Sequence, residues 1–161
     1  MTRRFGDRAT FAVEVGDPVS PALRVVDVWA AGALLTVHDN WAFLPYFCRA
    51  LRSTAARARQ REVEARPWPG RTPEETFRLL HADRTEFRER YSFLQWGETV
   101  DNVSKYAYLD DGDLVVVFAF WRTEHPHPRD RGRVFCARLD PDGFAAVTEA
   151  AADLLEAEGA G

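Results

Sequence analysis

The segment Ser104-Lys105-Tyr106-Ala107-Tyr108-Leu109-Asp110-Asp111-Gly112-Asp113-Leu114-Val115-Val116-Val117-Phe118-Ala119-Phe120-Trp121 decides the fold class. Its first part sets Tyr106 and Tyr108 against Lys105 and Ala107, the period-two pattern of a strand. Asp110-Asp111-Gly112-Asp113 is a tight turn. It returns the chain into an unbroken apolar run from Leu114 to Trp121, so the two strands form a hairpin. A strand apolar on both sides needs cover on both faces, which places this hairpin inside a layered structure.

Towards the C-terminus, a polar loop from Thr123 to Gly132 leads to a predicted strand over Val134 to Leu139. Asp140-Pro141 then opens a helix with Phe144, Val147, Ala151 and Leu154 facing inward. Residues Ala157 to Gly161 are expected to fray. Towards the N-terminus, Phe93-Leu94-Gln95-Trp96 reads as a short strand. Thr72, Pro73 and Glu75 supply an N-cap, a first-turn proline and a capping box for a helix whose inner face carries Phe77, Leu80, Phe87 and Tyr91.

Pro67-Trp68-Pro69-Gly70 separates that helix from an earlier one, capped by Asp39 or Asn40 and running to about Glu64. Its buried stripe is predicted as Trp41, Leu44, Phe47, Leu51 and Ala55. The first third reads as strands: Thr10 to Val15, broken by Gly16-Asp17-Pro18, then Leu23 to Ala30 turning at Ala31-Gly32 into Ala33 to Val37. With no repeat and no linker, residues 1–161 read as a single α+β domain: a mostly antiparallel sheet of six or seven strands packed with three helices.

Composition narrows the function. Hydrophobic residues make up 46% of the 161, enough for a core without a disulfide or a metal. No run reaches the roughly 20 apolar residues of a membrane span, and Met1-Thr2-Arg3-Arg4-Phe5-Gly6-Asp7 lacks an apolar leader, so a cytoplasmic location is expected. Arginine supplies all but one of the 21 basic residues, Lys105 being the exception. A net charge of −4 removes the usual basis for nucleic-acid binding and suits a basic protein partner. Cys48 and Cys136, far apart and outside any C-x-x-C pair, read as small buried apolar residues.

No constellation in the sequence makes a convincing catalytic site. His125-Pro126-His127-Pro128 places two imidazoles at i, i+2, but its prolines and the lack of further ligands read as a surface loop rather than a metal site. His38 and His81 are isolated, as a cap neighbour and a solvated helix residue. Ser20, Ser53, Ser92 and Ser104 have no nucleophile-elbow context, and no phosphate-binding glycine motif is present. Asp27 lies within an apolar strand, on the side of Val25 and Trp29. It reads as an edge or structural partner of an arginine, with an acid/base role as the alternative. No cofactor is expected. The candidate partner-binding residues are Trp96, Glu98 and Asp101 in one loop and Asp110, Asp111 and Asp113 in the hairpin turn, where acidic side chains around an aromatic anchor would meet a basic surface. The two loops flank one strand and so are expected at its opposite ends.

Phe5-Gly6-Asp7 followed by Phe11-Ala12-Val13-Glu14, with a strand hairpin, a helix after Asp39-Asn40 and a C-terminal hairpin, strand and helix, resembles the immunity protein 42 family of bacterial polymorphic-toxin systems. The similarity of order covers most of the chain. It implies a stoichiometric inhibitor, monomer or dimer, that binds the toxic domain of a cognate toxin in the cytoplasm without catalysis. The alternative from the residues themselves is a small ligand- or metal-binding domain or enzyme with a pocket between sheet and helices, using Asp27, His38 or the histidine loop. A third is an assembly subunit joined through Trp68, Trp96 and Trp121.

Overall fold

Along residues 1–159, which the computed structural model describes, the chain runs β1 (Arg3–Asp7), β2 (Phe11–Ser20), β3 (Leu23–Ala30), β4 (Ala33–Leu34), β5 (Trp41–Phe43), α1 (Leu44–Arg59), α2 (Pro73–Ala82), β6 (Val103–Asp110), β7 (Asp113–Phe120), β8 (Phe135–Leu139) and α3 (Pro141–Gly159). Short 3₁₀ turns at Glu86–Tyr91 and Glu98–Val100 precede β6. The fold class is α+β, as the patterning implies. The strands number eight rather than six or seven, and they form two sheets: β1-β2-β3-β4, with β5 pairing the other end of the same edge of β3, and β6-β7-β8. Every strand pair in both sheets is antiparallel.

The hairpin that fixes the class forms in the register Asp110↔Asp113 to Val103↔Phe120. Asp111 and Gly112 take φ of 49° and 82°, the left-handed pair that a two-residue turn between twisted strands requires. Its central strand β7 is covered on both faces. Leu114, Val116, Phe118 and Phe120 join the main core with Val13, Val15, Val26, Val28, Leu51, Phe144 and Leu155. Val115, Val117 and Ala119 join a second core with Phe77, Leu80, Tyr106 and Tyr108, under α2.

Helix α2 begins as its capping signals dictate: the Glu75 N–H donates to the Thr72 hydroxyl at 3.1 Å, and that hydroxyl donates to the Glu75 carboxylate at 3.2 Å. It ends earlier than its apolar stripe implies. Asp83 accepts from the Thr85 hydroxyl and the Arg88 N–H, a local competition with helical bonding that moves Phe87 and Tyr91 onto the separate 3₁₀ turn. Helix α3 starts at Pro141, with Asp140 Oδ2 accepting from the Gly143 N–H. Its last turn is ordered rather than frayed as far as Gly159, because Glu158 pairs with the buried Arg24; Ala160 and Gly161 of the expected frayed end lie outside the described residues. Ion pairs from Arg52 to Asp153 and Glu156, and from Arg59 to Glu149, seam α3 to α1.

Five further differences from the patterning appear. β1 is a strand the patterning did not predict, and β2 continues through Gly16-Asp17-Pro18 by register shifts instead of stopping there. The third predicted strand, Ala33 to Val37, pairs only over Ala33–Leu34. Phe93–Trp96 is no strand: Leu94 takes φ 57°, and the Trp96 N–H turns back to the Leu94 carbonyl at 2.8 Å. Helix α1 begins at Leu44, not after Asp39-Asn40, because Pro45 in its first turn lacks a donor and fits only at a start. Residues 41–43 instead extend the sheet along β3, Asp39 accepts from the Trp41 N–H at 2.9 Å, and Trp41 leaves the buried stripe for the surface.

Candidate binding surface

The start of α1 and the loop before β6 build a groove between them. Trp41 and Phe43 alternate with buried Ala42 along β5 and project outward, 56% and 55% exposed, and Tyr46 on the first turn of α1 is 47% exposed. Large aromatic side chains carry much apolar area, and a cluster of three on one face is a patch rather than scatter. With Trp96, Gly97, Glu98 and Thr99 they line a cavity of about 490 Å³. Thr99 is buried, and its hydroxyl finds no partner among the described residues.

The opposite wall is held in a costly conformation. Leu94 is left-handed, and Gly97 takes φ 94° with ψ −159°, a region open only to glycine. A Cβ on Gly97 would sit 3.3 Å from the Tyr46 ring. The Tyr46 hydroxyl donates to the Gln95 carbonyl at 3.2 Å, which ties α1 to this wall. From beneath, Lys105 Nζ donates to Gln95 Oε1 (3.3 Å), the Val100 carbonyl (3.2 Å) and the Val103 carbonyl (3.3 Å). Burial pushes the Lys105 ammonium down to about 8, with Asp101 opposing the shift. Asn102 donates to the Leu35 carbonyl at 3.0 Å and fixes the loop to the first sheet.

The six residues that the sequence singles out divide between two places. Glu98 and Asp101 are exposed at the groove end of β6. Asp110, Asp111 and Asp113 lie at its other end, about 25 Å away for an eight-residue strand. Asp111 is exposed, whereas Asp110 and Asp113 both accept from Arg138, at 3.0 and 2.8 Å. Trp96 is not the exposed anchor it was expected to be. It is 1% exposed, edge-on to Phe11 and Phe47, and contributes only the floor of the groove. The exposed aromatic side chains of this region are instead Trp41, Phe43 and Tyr46, of which the helical reading places Trp41 on the buried stripe. Pro45 was the sequence signal for where that helix starts.

The other candidate residues are accounted for individually. Asp27 Oδ1 accepts from the Thr36 hydroxyl at 2.9 Å and from Asn40 at 3.2 Å, so it is a structural partner, of these two side chains rather than of an arginine. His125 is 5% exposed and stacked on Phe120 at 4.2 Å, which corrects the reading of its loop as wholly surface. His38 and His127 flank it at 5.9 and 5.8 Å, and burial followed by His38 pushes the His125 imidazole downward. Among the described residues no group of three His, Cys, Asp or Glu side chains is placed to hold a metal ion. Cys48 is buried, but Cys136 faces outward from β8, contrary to expectation. Trp121 is 55% exposed, and Trp68 packs on Phe87. No described helix is long and apolar enough to cross a membrane.

No family model matches the chain, and no curated protein matches its sequence. Its fold is similar to the crystal structure of CdiI from Burkholderia dolosa AUO158, with a TM-score of 0.61 and 17% identity, over 96% of this chain and 99% of that one. At such identity the likeness is one of fold.

Proposed function

We propose that this chain is an immunity protein that binds a cognate bacterial toxin domain in one-to-one contact and blocks it, with the groove of Trp41, Phe43 and Tyr46 at the centre of the contact. The observation that carries the reading is the likeness of fold, over nearly the whole of both chains, to CdiI, an immunity protein of a contact-dependent inhibition toxin system. The surface is of the kind such a role needs. Exposed aromatic residues around a preformed, strained groove act as anchors for a protein partner, and Glu98 and Asp101 at the rim favour a basic partner and fast encounter. Asp110, Asp111 and Asp113 are too distant to belong to the same central contact. The finer assignment, to the immunity protein 42 family and to a cytoplasmic protein, rests on the opening motif and the order of elements.

The test is co-expression with the C-terminal domain encoded by the reading frame immediately upstream. Restored growth, together with co-elution as a one-to-one complex, is the expected result. Growth arrest that this chain does not relieve, with the two proteins eluting apart, overturns the reading.

A further inference from the structure

Basic side chains in this protein are arginines everywhere but one. The exception lies where three oxygens converge beneath the groove wall. Gln95 Oε1 and the Val100 carbonyl bracket residues 96–99, and the Val103 carbonyl begins β6; Lys105 Nζ donates to all three. An ammonium is compact and directs three donors tetrahedrally, whereas a guanidinium is a planar fork suited to paired oxygens. Arginine serves the carboxylate contacts of this fold, as in Arg8 with Glu14 or Arg52 with Glu156, but it does not match three convergent carbonyl oxygens. The residue is 7% exposed and borders a polar recess on the other side of the wall rather than lining the groove itself.

The wall above needs such a tie. Its backbone passes through the left-handed Leu94 and the glycine-only conformation of Gly97, and strained segments persist only where their surroundings over-determine them. The wall's own backbone bonds are short-range turns, from Trp96 to Leu94, from Val100 to Gly97 and from Asp101 to Glu98; the Tyr46 hydroxyl and the Trp96 indole tie its first part to α1, and Lys105 joins that part to Val100 and the start of β6.

We infer that Lys105 is the positioning residue of the groove: its ammonium, buried under the segment Gln95–Val103, holds the wall Trp96–Thr99 in the shape that a partner meets. This rests on the groove being the binding surface, yet the positioning itself is measurable without any partner. The groups that face the ammonium or line the polar recess beside it are Asp101 on the loop, His81 on α2, Arg88 and Glu89 on the 3₁₀ turn, and Tyr106 on β6.

The chain's single lysine makes the experiment unambiguous, since its side-chain ammonium gives one resonance. In the full-length protein, heteronuclear NMR at about pH 6 should show the Lys105 ammonium protons protected from exchange, and the resonance should titrate near 8 rather than at the ordinary 10.5. Hydrogen exchange on K105M and K105R should then show the amides of Val100 and Asp101, which close the wall's turns, losing at least about tenfold in protection, the ratio equivalent to one lost hydrogen bond. Val115–Phe118 in β7 should keep theirs, and Gln95→Leu, which removes one acceptor, should loosen the same segment less.

An ammonium that exchanges and titrates like a free lysine overturns the inference, and that measurement needs no variant to fold. Unchanged wall protection in both lysine variants overturns it too, as does equal loss in β7, which would make Lys105 a support of the whole fold. A loosened wall that leaves one-to-one binding of the upstream-encoded domain unaltered keeps the positioning and refutes the groove as the binding surface.

Discussion

The indole N–H of Trp96 donates to the Thr54 hydroxyl at 2.9 Å, and that hydroxyl donates in turn to the Ala50 carbonyl at 2.9 Å. A tryptophan from the loop before β6 is thereby fixed to the middle of α1, and the groove floor is part of the core. Trp96→Phe removes the donor and leaves a void where the second ring packed. A lost hydrogen bond and a partial cavity together cost about 2 kcal/mol. Urea denaturation should show that loss with an unchanged slope, while Trp41→Ala, at an exposed position, should stay within about 0.5 kcal/mol of the wild type.

Binding should show the reverse ranking. Truncating an aromatic anchor at the centre of an interface costs about 2 kcal/mol or more, roughly thirtyfold in affinity. Trp41→Ala, Phe43→Ala and Tyr46→Ala should each weaken association with the upstream-encoded toxin domain by that order, measured by titration calorimetry, while thermal stability barely moves for the first two and falls modestly for Tyr46→Ala, which also loses the bond to the Gln95 carbonyl. Full affinity in all three would place the contact elsewhere, with the exposed Trp121 the next surface to test.

Much of the fold is legible in the residues because the local signals agree with the tertiary outcome. The Asp111-Gly112 turn joins an alternating strand to a doubly apolar one, and both sides of β7 are indeed covered. Thr72, Pro73 and Glu75 start α2 where they should. The groove was hidden because its exposure is a tertiary result. Trp41 stands at helical spacing from Leu44, so periodicity assigns it to the buried stripe; pairing of residues 41–43 with β3 turns it outward. Trp96 sits in a polar loop yet ends in the core, since β2 and α1 close over it through Phe11, Phe47 and Thr54. Lys105 alternates with tyrosines as a solvent-facing residue would, and only the folding back of residues 95–100 buries it.

Gly97 probes the wall directly. Its backbone occupies a region closed to residues with a side chain, and an added Cβ meets the Tyr46 ring at 3.3 Å. Gly97→Ala should therefore cost about 1–3 kcal/mol, the range for a residue forced into such a conformation. Relief by local movement would open the groove, so partner affinity should fall as well. Gly112→Ala is the matched control. Its φ of 82° is also unfavourable, but nothing lies within 4 Å of its Cβ position, so it should lose stability without losing binding.

The outer face of the first sheet holds a buried carboxylate whose contribution to stability depends on pH. Glu14, 4% exposed, accepts from Arg8 Nε and Nη2 at 2.6 and 2.7 Å and from Arg4 Nε at 2.8 Å, and the Arg8 guanidinium lies 4.3 Å over the Trp29 ring. The Arg8 hydrogen bonds, opposed by burial and aided by Arg4, hold the Glu14 carboxyl below its ordinary 4.5. A folded-state value lower than the unfolded one means that the unfolded chain binds the proton first. The contribution is therefore complete above about pH 4.5 and disappears as pH falls through the folded-state value. Glu14→Gln keeps the shape but not the charge, and should cost about 1.5–3 kcal/mol near neutrality, as for hydrogen bonds to charged groups. Denaturant midpoints of wild type and variant should differ equally at about pH 7 and about pH 5, then converge towards about pH 2 as the wild-type carboxylate is neutralised. A difference that persists undiminished in acid would assign the loss to packing rather than to charge.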